Sequence, residues 1–239
     1  GAAGWMAQHF YDYFLFTGDL EFLKNRALPW LKEVALFYED YLIKSDKGEY
    51  VFTPSVSPEN RPENSNSMLA VNATMDVAIC KEVLTNLCEG CEILQIESDN
   101  IPKWQEIIEN LPKYTTNKDG ALEEWLHPDF DDNYMHRHLS HLYPIFPGFE
   151  ISKEDDPDIF KACEIAVEKR LVVGLTKQTG WSMAHMANIY ARLGNGDRAL
   201  ECIEILTRRS TGPNLLTYHN DWRLMGLTLP CEKPPFQID

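Results

Sequence analysis

Residues 73–97, Ala73-Thr-Met-Asp-Val-Ala-Ile-Cys-Lys-Glu-Val-Leu-Thr-Asn-Leu-Cys-Glu-Gly-Cys-Glu-Ile-Leu-Gln-Ile-Glu97, carry the clearest periodicity in the chain. Met75, Val77, Ala78, Ile79, Val83, Leu84, Leu87, Cys91, Ile93 and Leu94 recur every three or four positions. That is the spacing of one apolar helix face, and it lacks the alternation a half-buried strand would need. Thr74 is expected as the N-cap. The same pattern repeats on both sides. Upstream, residues 5–16 and 19–43 are expected helices, divided by Thr17-Gly18-Asp19 as a stop and a cap, with Pro29 in the first turn of the longer part. Downstream, helices are expected over 101–113, 156–173, 180–193 and 196–209. Ser45-Asp-Lys-Gly48 turns the chain into Tyr50-Val-Phe-Thr53, the one short extended piece.

About seven or eight helices and almost no strand read as an all-α fold. Apolar helices joined in pairs suggest an (α/α)6 toroid, and a closed ring of six pairs needs about twelve helices. The ring is therefore expected to be incomplete, with residues 1–239 forming part of one domain. No exact repeat supports a TPR or HEAT solenoid. In such rings the long loops gather at one end, which would bring 54–67, 114–150, 174–180 and 210–239 to one mouth.

Composition narrows the function. Lys and Arg number 22 against 37 Asp and Glu, a net charge of −15. That field repels nucleic acid and anionic membranes, so neither is an expected partner. No apolar run is long enough to span a bilayer. Both ends of the sequence look cut from something longer, and localisation stays open between secreted, periplasmic and cytoplasmic. The six cysteines are too sparse for a disulfide framework, and Cys88-Glu-Gly-Cys91 lies inside a helical pattern without a second ligand pair. Small core side chains are the expected role.

The chemistry concentrates in the loops. Three of seven histidines fall within His136-Arg137-His138-Leu-Ser-His141, just after Leu122-Glu-Glu124-Trp125. A connecting segment needs turn residues, not this density of titratable and aromatic groups. Arg137 opposes a cation and the histidine spacing is irregular, so no metal and no cofactor is expected. An indole beside a carboxylate suits a sugar, whose CH faces are apolar and whose edges are polar; the alternative is that Trp125 packs in the core and Glu124 pairs with Arg137. Glu59 sits in Ser57-Pro58-Glu59-Asn60 on a loop stiffened by Pro54 and Pro58. A carboxyl held near aromatic groups can have a raised pKa, as a general acid requires. His185 follows Trp181 by one helical turn. There is no GxSxG and no phosphate-binding glycine loop.

In order, Ser57-Pro-Glu-Asn60, Thr74-Met-Asp76, Leu122-Glu-Glu-Trp125, His136-Arg-His-Leu-Ser-His-Leu-Tyr143, Thr179-Gly-Trp-Ser182, Ala191-Arg-Leu193 and Phe236-Gln-Ile-Asp239 resemble glycoside hydrolase family 95. The resemblance covers essentially the whole chain and implies an inverting α-L-fucosidase, chiefly on 1,2-linked fucose of oligosaccharides or glycans. Some α-L-galactosidases share the fold. It implies a glutamate that protonates the leaving oxygen and an asparagine, polarised by an aspartate, that handles water. The two groups stand roughly 6.5–9.5 Å apart in inverting enzymes. Matched by motif, Glu59 is the acid with Glu124 in reserve, Asp239 is the activating aspartate, and Glu124, Trp125, His136, Arg137, His138, His141 and Trp181 line the sugar pocket. The family's Asn-x-Asn motif falls before the segment matching Gly1, and its GNFG after Asp239. The N-terminal and C-terminal parts of the parent chain are thus expected partners, and the 239 residues alone are expected to be inactive. Two competing readings are another toroid hydrolase or phosphorylase and a non-catalytic helical scaffold that binds carbohydrate or protein.

Overall fold

The computed structural model describes residues 1–174 and 177–218. The architecture is all-α, with the helices expected of an incomplete α/α toroid. They fall into two compact units, one built from residues 1–115 and 124–131, the other from 116–123 and 132 onward.

In the first unit, α1 (Ala2–Thr17) ends at Gly18, whose φ of 68° closes the helix in the left-handed conformation glycine accepts without penalty. Asp19 then caps α2 (Leu20–Phe22), its side chain accepting from the Phe22 amide at 2.9 Å. One π-helical turn, Leu23–Ala27, leads into α3 (Leu28–Tyr41), with Pro29 in its first turn as the sequence suggests. Ile43–Lys44 (β1) and Tyr50–Val51 (β2) form a two-residue antiparallel hairpin. The unit's central helix is α4 (Thr74–Leu94), which packs against α1, α3 and α5 (Ile101–Glu109).

The apolar face of α4 explains that centrality. Ile79, Cys80, Leu84, Leu87 and Cys91 are fully buried. Each large aliphatic among them contributes about 1.5–3 kcal/mol by leaving water. α1 meets this face through Ala7, Gln8, Tyr11 and Phe14, and Gly4 lets the two backbones approach, since a Cβ there would lie 2.3 Å from Ile79 Cγ2. Gln8 donates to Glu82 at 3.0 Å and Tyr11 to Glu89 at 3.2 Å, so the rim of the contact is polar. Two expectations shift. Thr74 is the first helical residue rather than the cap; Ala73 occupies the cap without a side-chain bond. The helix also stops at Leu94, because Gln95 turns left-handed at φ 54° and returns its amide to Cys91 and Glu92.

In the second unit, Asp156 caps α6 (Pro157–Val173) by accepting from the Ile159 amide at 3.0 Å. α7 (Gly180–Arg192) begins in a reciprocal box between Thr179 and Ser182. The turn Leu193-Gly194-Asn195 leads to α8 (Gly196–Arg209), with Gly194 at φ 74° and Asn195 accepting from the Arg198 amide at 3.1 Å. α7 and α8 pack closely as a pair. Among the described residues no helix is long and apolar enough to cross a membrane.

Candidate active site

Each unit gathers part of the loop chemistry. In the first, the segment Glu124-Trp125-Leu126 runs beside the start of α4. Ala73 and Trp125 form an antiparallel bridge, the Thr74 amide donates to Glu124 O at 3.1 Å, and the Leu126 amide donates to Asn72 O at 2.9 Å. Asn72 fastens this segment to the strand end. Its Oδ1 accepts from the Phe52 amide at 2.8 Å, its Nδ2 donates to Leu126 O at 3.4 Å, and its own amide donates to Phe52 O at 3.0 Å. It does so at φ 52°, a conformation asparagine tolerates better than most side chains.

The polar loop at 54–67 closes over this segment. Ser55 pairs with Ala70, accepts from the Ala73 amide at 2.9 Å and donates to Asp76 at 2.7 Å. Ser57 Oγ donates to Glu124 Oε1 at 2.6 Å, and Asn60 Nδ2 donates to Glu124 Oε2 at 2.8 Å. Ser57, Asn60 and Glu124 are each 1% exposed. A carboxyl so far from water requires hydrogen-bonding partners, and the loop supplies one for each oxygen. Glu59 stands between the two donors at φ 57°, on the exposed side of the turn. Trp125 is 1% exposed and packs with Ala70, Ala73 and Phe130; its Nε1 has no hydrogen-bond partner among the described residues.

In the second unit, the histidine segment lies along the first half of α7. Ser182 Oγ, which accepts from the Thr179 amide, donates to Arg137 O at 2.7 Å. Gln178 Nε2 donates to three carbonyls: His136 at 3.2 Å, Arg170 at 3.1 Å and Gly174 at 3.0 Å. The backbone of His136 and Arg137 is thereby held, with the His136, Arg137 and His138 side chains half-buried. The rings of His136 and His138 lie 5.2 Å apart. His141 is buried in a 3-10 turn, Ser140–Leu142. Trp181 is 59% exposed and packs its ring 6.1 Å from that of His185. Asp239 lies outside the described residues.

Gly174, at the end of α6, makes the Gln178 fork possible. A Cβ there would stand 2.6 Å from Tyr134 O, 2.7 Å from Arg170 O and 2.9 Å from Gln178 Nε2. Two of these atoms are backbone and cannot swing aside. Gly174→Ala is expected to destabilise by about 1–3 kcal/mol, the usual range for overpacking, read as a lower thermal midpoint. An unchanged midpoint would show that the fork is not a fixed contact.

His185 adds a pH dependence. The residue is 7% exposed. Burial is the largest cause holding its pKa below the ordinary 6.5; a bond to Phe146 O at 3.2 Å opposes the shift and His138 reinforces it. The folded state thus binds its proton more weakly than the unfolded chain. The contribution is complete above pH 6.5 and is lost as pH falls below that value toward the lower folded pKa. Thermal midpoints measured from pH 7.5 to 5.5 are expected to fall, and His185→Gln is expected to flatten part of that slope.

Sequence reasoning missed the parts played by Ser57, Asn60, Asn72 and Gln178. Their partners lie 64 and 67 residues away for Asn60 and Ser57, and 42 for the Gln178 bond to His136. Only the Ser-Pro-Glu-Asn motif gave a local signal.

The model of the glycosyl hydrolase family 95 catalytic domain matches residues 1–239. Alpha-L-fucosidase 2 of Arabidopsis thaliana is 34% identical over 239 residues, covering 98% of this chain and 28% of the plant protein. A probable alpha-fucosidase A of Aspergillus niger is 25% identical over 247 residues, covering 98% of this chain and 29% of the fungal protein. A kojibiose hydrolase of Flavobacterium johnsoniae is 38% identical over 64 residues, 27% of this chain. The chain spans less than a third of the length of the two fucosidases it matches.

Proposed function

The chain belongs to glycosyl hydrolase family 95, and from that membership we propose that it supplies part of the catalytic domain of an inverting α-L-fucosidase. Its substrates are terminal, 1,2-linked fucosyl residues of oligosaccharides or glycans.

The observation that supports the assignment of roles is the turn over residues 57–60, which holds Glu59 at φ 57° with its side chain on the exposed side. A general acid needs a fixed position and a carboxyl that can reach the leaving oxygen. Glu59, the match by motif, has both, while Glu124, 1% exposed and accepting from Ser57 and Asn60, holds the turn from beneath and stays the reserve. Glu59 gives its proton to the glycosidic oxygen as the bond to the anomeric carbon breaks. Water attacks that carbon from the opposite face and loses its proton to the base. Asp239 polarises the asparagine that handles this water, and the asparagine comes from the parent chain. By the family motif, His136, Arg137, His138, His141 and Trp181 are assigned to binding the sugar. Trp125, buried against Ala70 and Ala73 and bridged to Ala73, fixes the backbone of the 124–126 segment.

The local likeness to a kojibiose hydrolase supports a second reading, in which the family fold acts on a different sugar; an α-L-galactosidase is a third. The full-length parent, given a 2′-fucosylated oligosaccharide, the corresponding α-L-galactoside and kojibiose, is expected to turn over the fucoside with the highest kcat/KM. Glucose release from kojibiose without fucose release from the first substrate would overturn the assignment.

A further inference from the structure

A glutamate is an unusual residue to find at position 59. The Asn60 amide donates to Ser57 O at 3.1 Å, closing a four-residue turn. Pro58 fixes φ at the second position of that turn. Glu59 takes φ 57° at the third, where such a turn ordinarily calls for glycine or asparagine. Backbone strain of this kind persists only where the surroundings impose it. We infer that Glu124, acting through Ser57 and Asn60, is a positioning residue that holds the turn in its strained form and so aims the Glu59 side chain. This inference rests on the proposed role of Glu59 as the acid and deepens it.

The contacts are built around the strained residue. Ser57 Oγ donates to Glu124 Oε1 at 2.6 Å and Asn60 Nδ2 to Oε2 at 2.8 Å, one donor from each end of the turn. Both donor residues and Glu124 are 1% exposed, while Glu59, between the donors, is exposed. The two oxygens of one carboxyl thus span the turn and fix the separation of its ends. That carboxyl belongs to a segment anchored at the start of α4. Glu124 O accepts from the Thr74 amide at 3.1 Å, and Trp125 bridges to Ala73. The loop is tied to the same place, since Ser55 accepts from the Ala73 amide and donates to Asp76. Turn and carboxyl therefore share one frame.

Glycine or asparagine at position 59 would close this turn with less strain. Apolar side chains beneath it would avoid drawing a carboxyl out of water. The chain does neither. What the arrangement fixes is direction: the side chains of 57 and 60 are buried against Glu124, and that of 59 is exposed. An acid must hold its proton beside the leaving oxygen, and a misplacement of about 1 Å can cost roughly a hundredfold in rate. Without the Glu124 acceptors the turn can relax toward a backbone ordinary for glutamate, and the Glu59 carboxyl moves with it.

The test uses the full-length parent and two substrates: a 2′-fucosylated oligosaccharide, whose leaving group must be protonated, and an aryl α-L-fucoside, whose acidic phenol leaves almost unaided. Glu124→Ala removes both acceptors. It is expected to lower kcat on the oligosaccharide by about ten- to a hundredfold, with KM moving less than about threefold. On the aryl fucoside the loss is expected to be several-fold smaller. Glu124→Gln keeps a polar partner for each donor and is expected to restore most of kcat. Should Glu124→Ala fail to fold, Ser57→Ala decides. It removes one donor, leaves the turn's backbone bond in place, and is expected to show the same split between substrates. Equal losses on both substrates, a change in KM alone, or an unchanged kcat would overturn the inference. Glu59→Gln separates the two levels. If it keeps full turnover, the assignment of the acid fails and the inference with it; if it abolishes turnover on the oligosaccharide while Glu124→Ala and Ser57→Ala leave kcat unchanged, only the positioning role fails.

Discussion

Glu59→Gln in the full-length parent is expected to lower kcat on a 2′-fucosylated oligosaccharide by about a thousandfold, within the range of roughly 10²–10⁴ that a general acid contributes. KM is expected to change little, because the amide keeps the shape of the carboxyl. The fold is expected to survive, because Glu59 lies on the exposed side of its turn. An aryl fucoside with an acidic phenol is expected to recover much of the rate. Glu124→Gln is expected to cost less than about tenfold in kcat, below the range of a lost general acid. Glutamine offers one acceptor and one amino group where Glu124 offers two acceptors to Ser57 and Asn60, and the Ser57 hydroxyl can reverse and accept from that amino group. The reverse pattern, with Glu124→Gln inactive and Glu59→Gln active, would exchange the two roles.

Asn72→Ala is the second large effect, and it acts on stability. It leaves the buried Phe52 amide without the acceptor it has in Asn72 Oδ1, and it removes the donor to Leu126 O. An unmade buried hydrogen bond costs about 1–3 kcal/mol. Alanine at φ 52° adds about 1 kcal/mol, because its Cβ crowds the left-handed backbone. The sum is roughly 3 kcal/mol, read as a lower thermal midpoint and as faster hydrogen exchange at the Phe52 amide. Asn72→Gly relieves the backbone but not the lost bonds and is expected to cost less. Asn72→Asp keeps the acceptor for Phe52 and is expected to protect that amide nearly as well as the parent residue. A loss within about 0.5 kcal/mol for Asn72→Ala, the usual size of a surface change, would mean the three segments are held by something else.

These two positions show how much of the site the sequence carried. The helices were legible because burial repeats every three or four residues, as in Ile79, Val83, Leu84, Leu87 and Cys91, and because Gly18, Asp19, Pro29 and Asn195 punctuate them. The ends were less so. Gln95 closes α4 in a left-handed conformation that glycine or asparagine usually takes, and Ala73 caps it with no side-chain acceptor. The loop at 54–67 and the histidine segment stood out by composition alone. Their wiring did not, because Ser57, Asn60 and Gln178 act on partners dozens of residues away. Trp125 illustrates the same limit. Beside a carboxylate it suggests a sugar-facing indole, yet Ala70 and Ala73 are small enough to let it sink to 1% exposure. Pattern reads which residues a chain spends on chemistry; only packing decides which of them faces outward.

Inverting hydrolysis of an α-L-fucosyl bond is the reaction expected of the parent of this chain. The most direct measurement follows the anomeric proton of the sugar first released when that full-length protein acts on a 2′-fucosylated oligosaccharide, by NMR before mutarotation sets in. The β-anomer of L-fucose is expected to appear first, with the α-anomer growing only later. Initial release of the α-anomer, or a sugar other than fucose, would contradict it.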